Sequence, residues 1–229
     1  MDFVPIVESF VAARFPRADV VIVAGSTARD RRTATSDIDL LLLGDDLFAA
    51  ERDSLAATYR FEGEVFEIFA YTHQAFATWA ERGLAQYRPV IVQMLLDGLT
   101  VRGVAERERY RTLWEPVYRR GPQLDEAEKR LRRYVLTDVL DDFMDASDPL
   151  EKHVLASLLF ERTAELILLT NGRWIGAGKY LPRRLREFDA ERADALTAPL
   201  LAHDDTAFAA RVAHELERAG GRLQEGFER

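Results

Sequence analysis

The apolar pattern of the chain changes character at Gly103, and this change limits the possible folds more than any other feature. Before Gly103, short β-branched runs alternate with helical segments; after it, only helical periodicity is found. Val20–Ala24 ends at Gly25 and Ile38–Leu43 ends at Gly44, two buried-strand patterns that each run into a turn. Leu55–Phe61 and Glu64–Tyr71 flank Glu62-Gly63 as a hairpin, and Leu99–Arg102 is expected to return as an edge strand. Helices are expected over Val4–Phe15, with Pro5 in the first turn and Pro16 as the stop, and over His73–Ala85 behind the cap Thr72. Beyond Gly103, Glu126–Ala146 places Leu131, Val135, Val139 and Phe143 near one face. Asp148-Pro149-Leu150-Glu151 then starts a second helix that runs to Thr170 and stops at Asn171-Gly172. The short link makes these two helices antiparallel neighbours. Tyr180–Phe188 and Thr206–Ala219 add two more, and the Gly220-Gly221 tail is expected to fray. The expected architecture is an α/β domain with a mixed sheet over residues 1–102, followed by an all-α helical bundle over 103–229.

The 229 residues are enough to bury a sizeable core, and 48% apolar with 31% charged residues is a globular balance. A net charge of −8 disfavours a nucleic-acid partner. No apolar run approaches the roughly 20 residues that span a bilayer. The absence of cysteine excludes a disulfide framework, and the N-terminus lacks a basic segment feeding an apolar run, so a cytoplasmic location is expected.

Chemistry concentrates in Val20–Gly44. A strand delivers Gly25 and Ser26 to a turn where the missing Cβ allows close backbone approach and the hydroxyl can donate to an anionic oxygen. A helix starting at Ser26 would favour a phosphate there. After a ten-residue spacer, Asp37-Ile38-Asp39 opens the next strand. Alternation puts the two carboxylates on one face, about 6.6 Å apart along the backbone. Such a pair repels unless a cation intervenes, and its oxygen donors suit Mg²⁺ or Mn²⁺. Glu67, inside the apolar strand Glu64–Ala70, is the candidate third acid for a two-metal site; the alternative is a solvent-facing Glu67 beside Val65 and Phe69.

Gly25-Ser26, the spacer, Asp37-Ile38-Asp39 and Glu67 together resemble the DNA polymerase beta-like nucleotidyltransferase superfamily. The resemblance implies that Gly25 and Ser26 hold the triphosphate, that Asp37 and Asp39 bind Mg²⁺, and that Glu67 completes the site or acts as base. Ser36 and Arg29 also match family positions, while Asp30 stands where the family often has glycine. Among relatives, the layout looks like antibiotic nucleotidyltransferases of the kanamycin and streptomycin type. That implies transfer of a nucleoside monophosphate, AMP from ATP, to a hydroxyl of an aminoglycoside-like small molecule with release of pyrophosphate. Protein AMPylation of the antitoxin type and a non-catalytic nucleotide-binding regulator are the alternatives, and a homodimer is expected by analogy. In the helical half, Lys179, Arg183 and Arg186 fall on one helical face after Trp174, so Lys179 is a nucleotide-contact candidate; plain surface arginines and a core tryptophan are the competing reading. Asp138, Asp141, Asp142 and Asp145 form an acidic stripe, read either as a solvated face or as a surface for a cationic acceptor. The four histidines have no metal-ligand spacing and are expected to serve as caps or surface groups.

Overall fold

The computed structural model describes residues 3–29, 36–49 and 51–227. It divides into two compact units, residues 1–120 and 121–229. Among the described residues, no helix is long and apolar enough to cross a membrane.

The first unit holds a five-stranded mixed sheet of β1 (Val20–Ala24), β2 (Ile38–Leu43), β3 (Ser54–Phe61), β4 (Glu64–Tyr71) and β5 (Leu99–Arg102), in the order β3-β4-β2-β1-β5. Only β2 and β4 pair in parallel; the other neighbours are antiparallel. Every residue of β1 is buried because both sheet faces are covered there. On one face, helix α1 (Val4–Arg14) sets Val7, Phe10 and Val11 on Val21, Val23, Leu40, Phe66 and Ile68. The Phe10 and Phe66 rings stack with centroids 4.2 Å apart. On the other face, α3 (His73–Ala85) and α4 (Val90–Asp97) pack Phe76, Ala80, Val92 and Leu95 on Val20, Ile22, Leu41 and Leu43. A four-residue α2 (Gly25–Ala28) follows β1 directly. Thr72 caps α3 as expected, accepting from the Ala75 N–H at 3.2 Å.

A further helix, α5 (Val104–Arg120), extends the first unit past the boundary expected at 102/103. It is tied down by Arg107, whose guanidinium donates to the carbonyls of Leu95, Leu96 and Gly98 at 2.9, 3.1 and 2.8 Å and to Thr100 Oγ1 at 2.9 Å. Half-buried Tyr110, Trp114 and Tyr118 pack on the α3 and α4 layer. The helix therefore belongs with the sheet rather than with the bundle.

The second unit contains α6 (Glu126–Asp145), α7 (Pro149–Thr170), α8 (Tyr180–Phe188), α9 (Ala190–Leu201) and α10 (Asp205–Arg218). Asp148 caps α7 through the N–H groups of Leu150 and Glu151, at 2.9 and 3.0 Å. The buried residues of α6 are Leu136, Thr137, Val139, Leu140 and Phe143, whereas Leu131 is 38% exposed. Buried Glu165 accepts from Arg132 at 3.2 Å and Arg162 at 3.4 Å, and buried Glu215 pairs with Arg192. The tail does not fray. Arg133 donates to the Gly221 carbonyl at 2.9 Å and Arg130 to that of Gly226 at 3.1 Å, the Leu223 N–H reaches Thr137 Oγ1 at 3.1 Å, and Phe227 stacks on Tyr134 at 4.3 Å.

Candidate active site

The strand register assembles the site as a row of residues running across the sheet. Ala24 pairs with Asp39, Asp39 with Glu67, and Glu67 with Thr58. Paired residues share a face, so Asp39 and Glu67 stand side by side on neighbouring strands about 4.8 Å apart. The opposite face of these strands carries Ile38, Leu40, Phe66 and Ile68, all buried under α1. Alternation back from Asp39 puts Asp37 on the site's face as well. Asp37, Asp39 and Glu67 are all half-buried.

Gly25 adjoins this row. Its φ is +64°, a conformation that favours glycine, and the Asp39 carboxylate lies directly over its Cα. A Cβ at position 25 would fall 2.7 Å from Asp39 Cγ, with Oδ2 closer still. The buried Thr27 side chain donates from Oγ1 to the Asp37 carbonyl at 3.3 Å, which ties the turn after β1 to the start of β2. Thr27 was not among the expected site residues, because a threonine inside a short turn looks like spacer.

The remaining expected residues are placed as follows. Ser26 is half-buried in α2 and Ser36 half-buried just before Asp37. Arg29 pairs with Asp97 at the end of α4, N–O 3.4 Å, and Gln93 donates to the same Asp97 oxygen at 3.2 Å. Asp30 lies outside the described residues. Lys179 belongs to the second unit, where it is exposed just before α8 with its Nζ 5.6 Å from the Tyr180 ring. Arg183 and Arg186 share its exposed face, while Trp174 is buried and its carbonyl accepts from Arg184 at 3.5 Å. Trp174 is thus a core residue. In the acidic stripe, Asp141 is already paired with Arg222 and accepts from Gln224 at 2.7 Å.

The donors on the site's face are all carboxylate oxygens, the chemistry of a hard divalent cation. Their backbone placement fits an ion held by the aspartate pair. Among the described residues, however, no group of three or more His, Asp or Glu side chains is arranged to hold a metal, so Glu67 is not drawn into a three-carboxylate cluster.

One histidine does more than the sequence suggested. His73 Nδ1 lies 2.6 Å from Tyr110 Oη and its Nε2 lies 3.2 Å from Asp19 Oδ2, while its backbone N–H donates to Asp45 Oδ1 at 3.1 Å. Burial, reinforced by the carboxylates of Glu106, Asp45 and Asp19, pushes the Tyr110 hydroxyl up to about 12. The phenol therefore keeps its proton at neutral pH.

A structure of a nucleotidyltransferase-like protein from Exiguobacterium sibiricum is similar at 16% identity and a TM-score of 0.47, covering 94% of this chain and 73% of that one. No curated protein matches the chain. Residues 4–82, the stretch from α1 into α3 that contains Gly25 and the whole row of paired residues, match the family described as the nucleotidyltransferase domain.

Proposed function

We propose that the first unit transfers a nucleoside monophosphate, AMP from ATP, to a hydroxyl of a small-molecule acceptor and releases pyrophosphate. The observation that supports this most is the register that sets Asp39 beside Glu67 next to the Gly25 turn. Asp37 and Asp39 hold Mg²⁺ or Mn²⁺, which when bound neutralises charge on the transferring and leaving phosphoryl groups. Gly25 and Ser26 cradle the outer phosphates, with Ser36 and Arg29 beside them, and the glycine backbone leaves room for a phosphate to approach. Glu67 accepts the proton from the attacking hydroxyl. The acceptor oxygen then forms its bond to the α phosphorus as the bond to pyrophosphate breaks on the opposite side.

An aminoglycoside-like compound is the acceptor that the resemblance implies, and an anionic small molecule is its rival. Pyrophosphate release and transfer of label from α-labelled ATP test the reading. Asp39→Asn is expected to lower transfer by about 100-fold or more, the scale on which one transition-state charge contact acts, with the thermal melt unchanged. Full activity in that variant overturns the reading. Label that moves with a protein band rather than a small molecule indicates AMPylation. Nucleotide binding without pyrophosphate release indicates a regulator.

A further inference from the structure

The register row continues past Glu67, and its far end is open. Thr58 on β3 is the direct partner of Glu67, and Arg60 and Ala56 flank it as partners of Val65 and Phe69. All three β3 side chains are exposed, while their alternates Leu55, Tyr59 and Phe61 pack into the α1 core. Along the row, the Gly25 turn lies beyond Asp39 on one side of Glu67 and Thr58 lies on the other, each step about 4.8 Å. In-line attack requires the entering oxygen and the leaving pyrophosphate on opposite sides of the α phosphorus. With the outer phosphates at Gly25, the attacking hydroxyl arrives from the β3 side.

We infer that the exposed β3 row Ala56–Thr58–Arg60 is the acceptor platform, and that the acceptor carries an anionic group, a phosphate or carboxylate, held by Arg60 while Thr58 hydrogen-bonds next to the reacting hydroxyl. This inference rests on the nucleotidyl-transfer reading. Charge carries it: Arg60 is an exposed cation on this face, one step diagonally from Glu67 at roughly 7 to 8 Å, whereas Arg29, on the phosphate side, is engaged by Asp97. Among the described residues no ion pair occupies its guanidinium. A guanidinium fork suits planar recognition of carboxylate or phosphate, and Ala56 with half-buried Phe69 offers an apolar rest for the acceptor's carbon skeleton. A polycation would meet Arg60 as a like charge.

The test uses the full chain with Mg²⁺ and ATP and two matched acceptor sets: glycerol, glycerol 3-phosphate and glycerate; glucose, glucose 6-phosphate and gluconate. Kanamycin serves as the cationic arm. At least one anionic member is expected to be used with a kcat/KM at least about tenfold above its neutral counterpart, an effect of the size of one charge-assisted hydrogen bond. Comparison of the phosphate and carboxylate arms identifies which anion is preferred. Arg60→Glu removes that preference, Arg60→Lys keeps part of it, and both leave the KM for ATP within about twofold and the circular-dichroism melt unchanged. Thr58→Val raises the acceptor KM without changing the KM for ATP. Preference for a neutral acceptor or kanamycin overturns the inference, as does an anion preference that survives Arg60→Glu. So does tight binding of Mg–ATP with none of the anionic acceptors used, a result that leaves the nucleotidyl-transfer reading standing. Failure to bind Mg–ATP at all removes that reading and this inference with it.

Discussion

The two ends of the β1–β2 strand pair surround their acidic side chains differently. At the Val20–Leu43 end, two acids meet donors: Asp19 faces His73 Nε2, and Asp45 accepts the His73 backbone N–H. Tyr110 completes the chain from α5, so four segments of the first unit are joined there. At the Ala24–Asp39 end, the register neighbour of one acid is another acid, and a glycine in a left-handed conformation lies beneath the carboxylate. Pairing acids with donors is the arrangement that stabilises a fold; stacking them side by side on a half-exposed face works against stability and suits the binding of a cation. On the proposed reading, the contrast separates a structural end of the sheet from a functional one.

Substitutions at the two ends should therefore differ in what they do to transfer, whatever they cost in stability. The larger effect is expected for Gly25→Ala. The new Cβ collides with the Asp39 carboxylate at a φ that alanine tolerates poorly, so transfer falls by about 100-fold or more and urea denaturation shows a stability loss of about 1–3 kcal/mol. Wild-type turnover in this variant would mean that the contact between Gly25 and Asp39 has no part in the reaction. At the other end, Tyr110→Phe removes the hydrogen bond to His73 and should lower unfolding stability by about 1 kcal/mol while transfer stays within about twofold. A collapse of transfer without a change in stability would show that the two ends are coupled and would blur the distinction.

Much of the sheet was legible in the sequence. The bounds of β1, β2 and β4 follow from β-branched and apolar runs that end at Gly25, Gly44 and Thr72, and β3 begins one residue earlier than expected, at Ser54. The motif Asp37-Ile38-Asp39 fixed two acids on one face by alternation alone. What alternation does not contain is which strand lies beside β2. The parallel pairing that brings Glu67 next to Asp39 is a property of topology, and so is the place of Thr58 on the far side of Glu67. Helices α5 and α9 were missed for local reasons. Each has a proline inside it, Pro116 and Pro199, and α5 has no fully buried residue to mark an inward face. The first unit takes in α5 because Arg107 hydrogen-bonds the α4–β5 connection and Tyr110 reaches His73, partners that periodicity within α5 does not name. The tail was misread for a similar cause. Its glycines suggest fraying, but the groups that hold it are Arg130, Arg133 and Thr137 on α6, more than eighty residues upstream.

The most direct test of the division between the two ends is a Mn²⁺ titration followed by electron paramagnetic resonance, in the presence of a non-hydrolysable ATP analogue. Three proteins are compared: wild type, Asp37→Asn with Asp39→Asn, and Asp19→Asn with Asp45→Asn. The account predicts that Mn²⁺ affinity falls by about tenfold or more in the Asp37/Asp39 variant, as expected when ligating carboxylates lose their charge, and stays within about twofold of wild type in the Asp19/Asp45 variant. Unchanged affinity in the Asp37/Asp39 variant, or an equal loss in both, would contradict it.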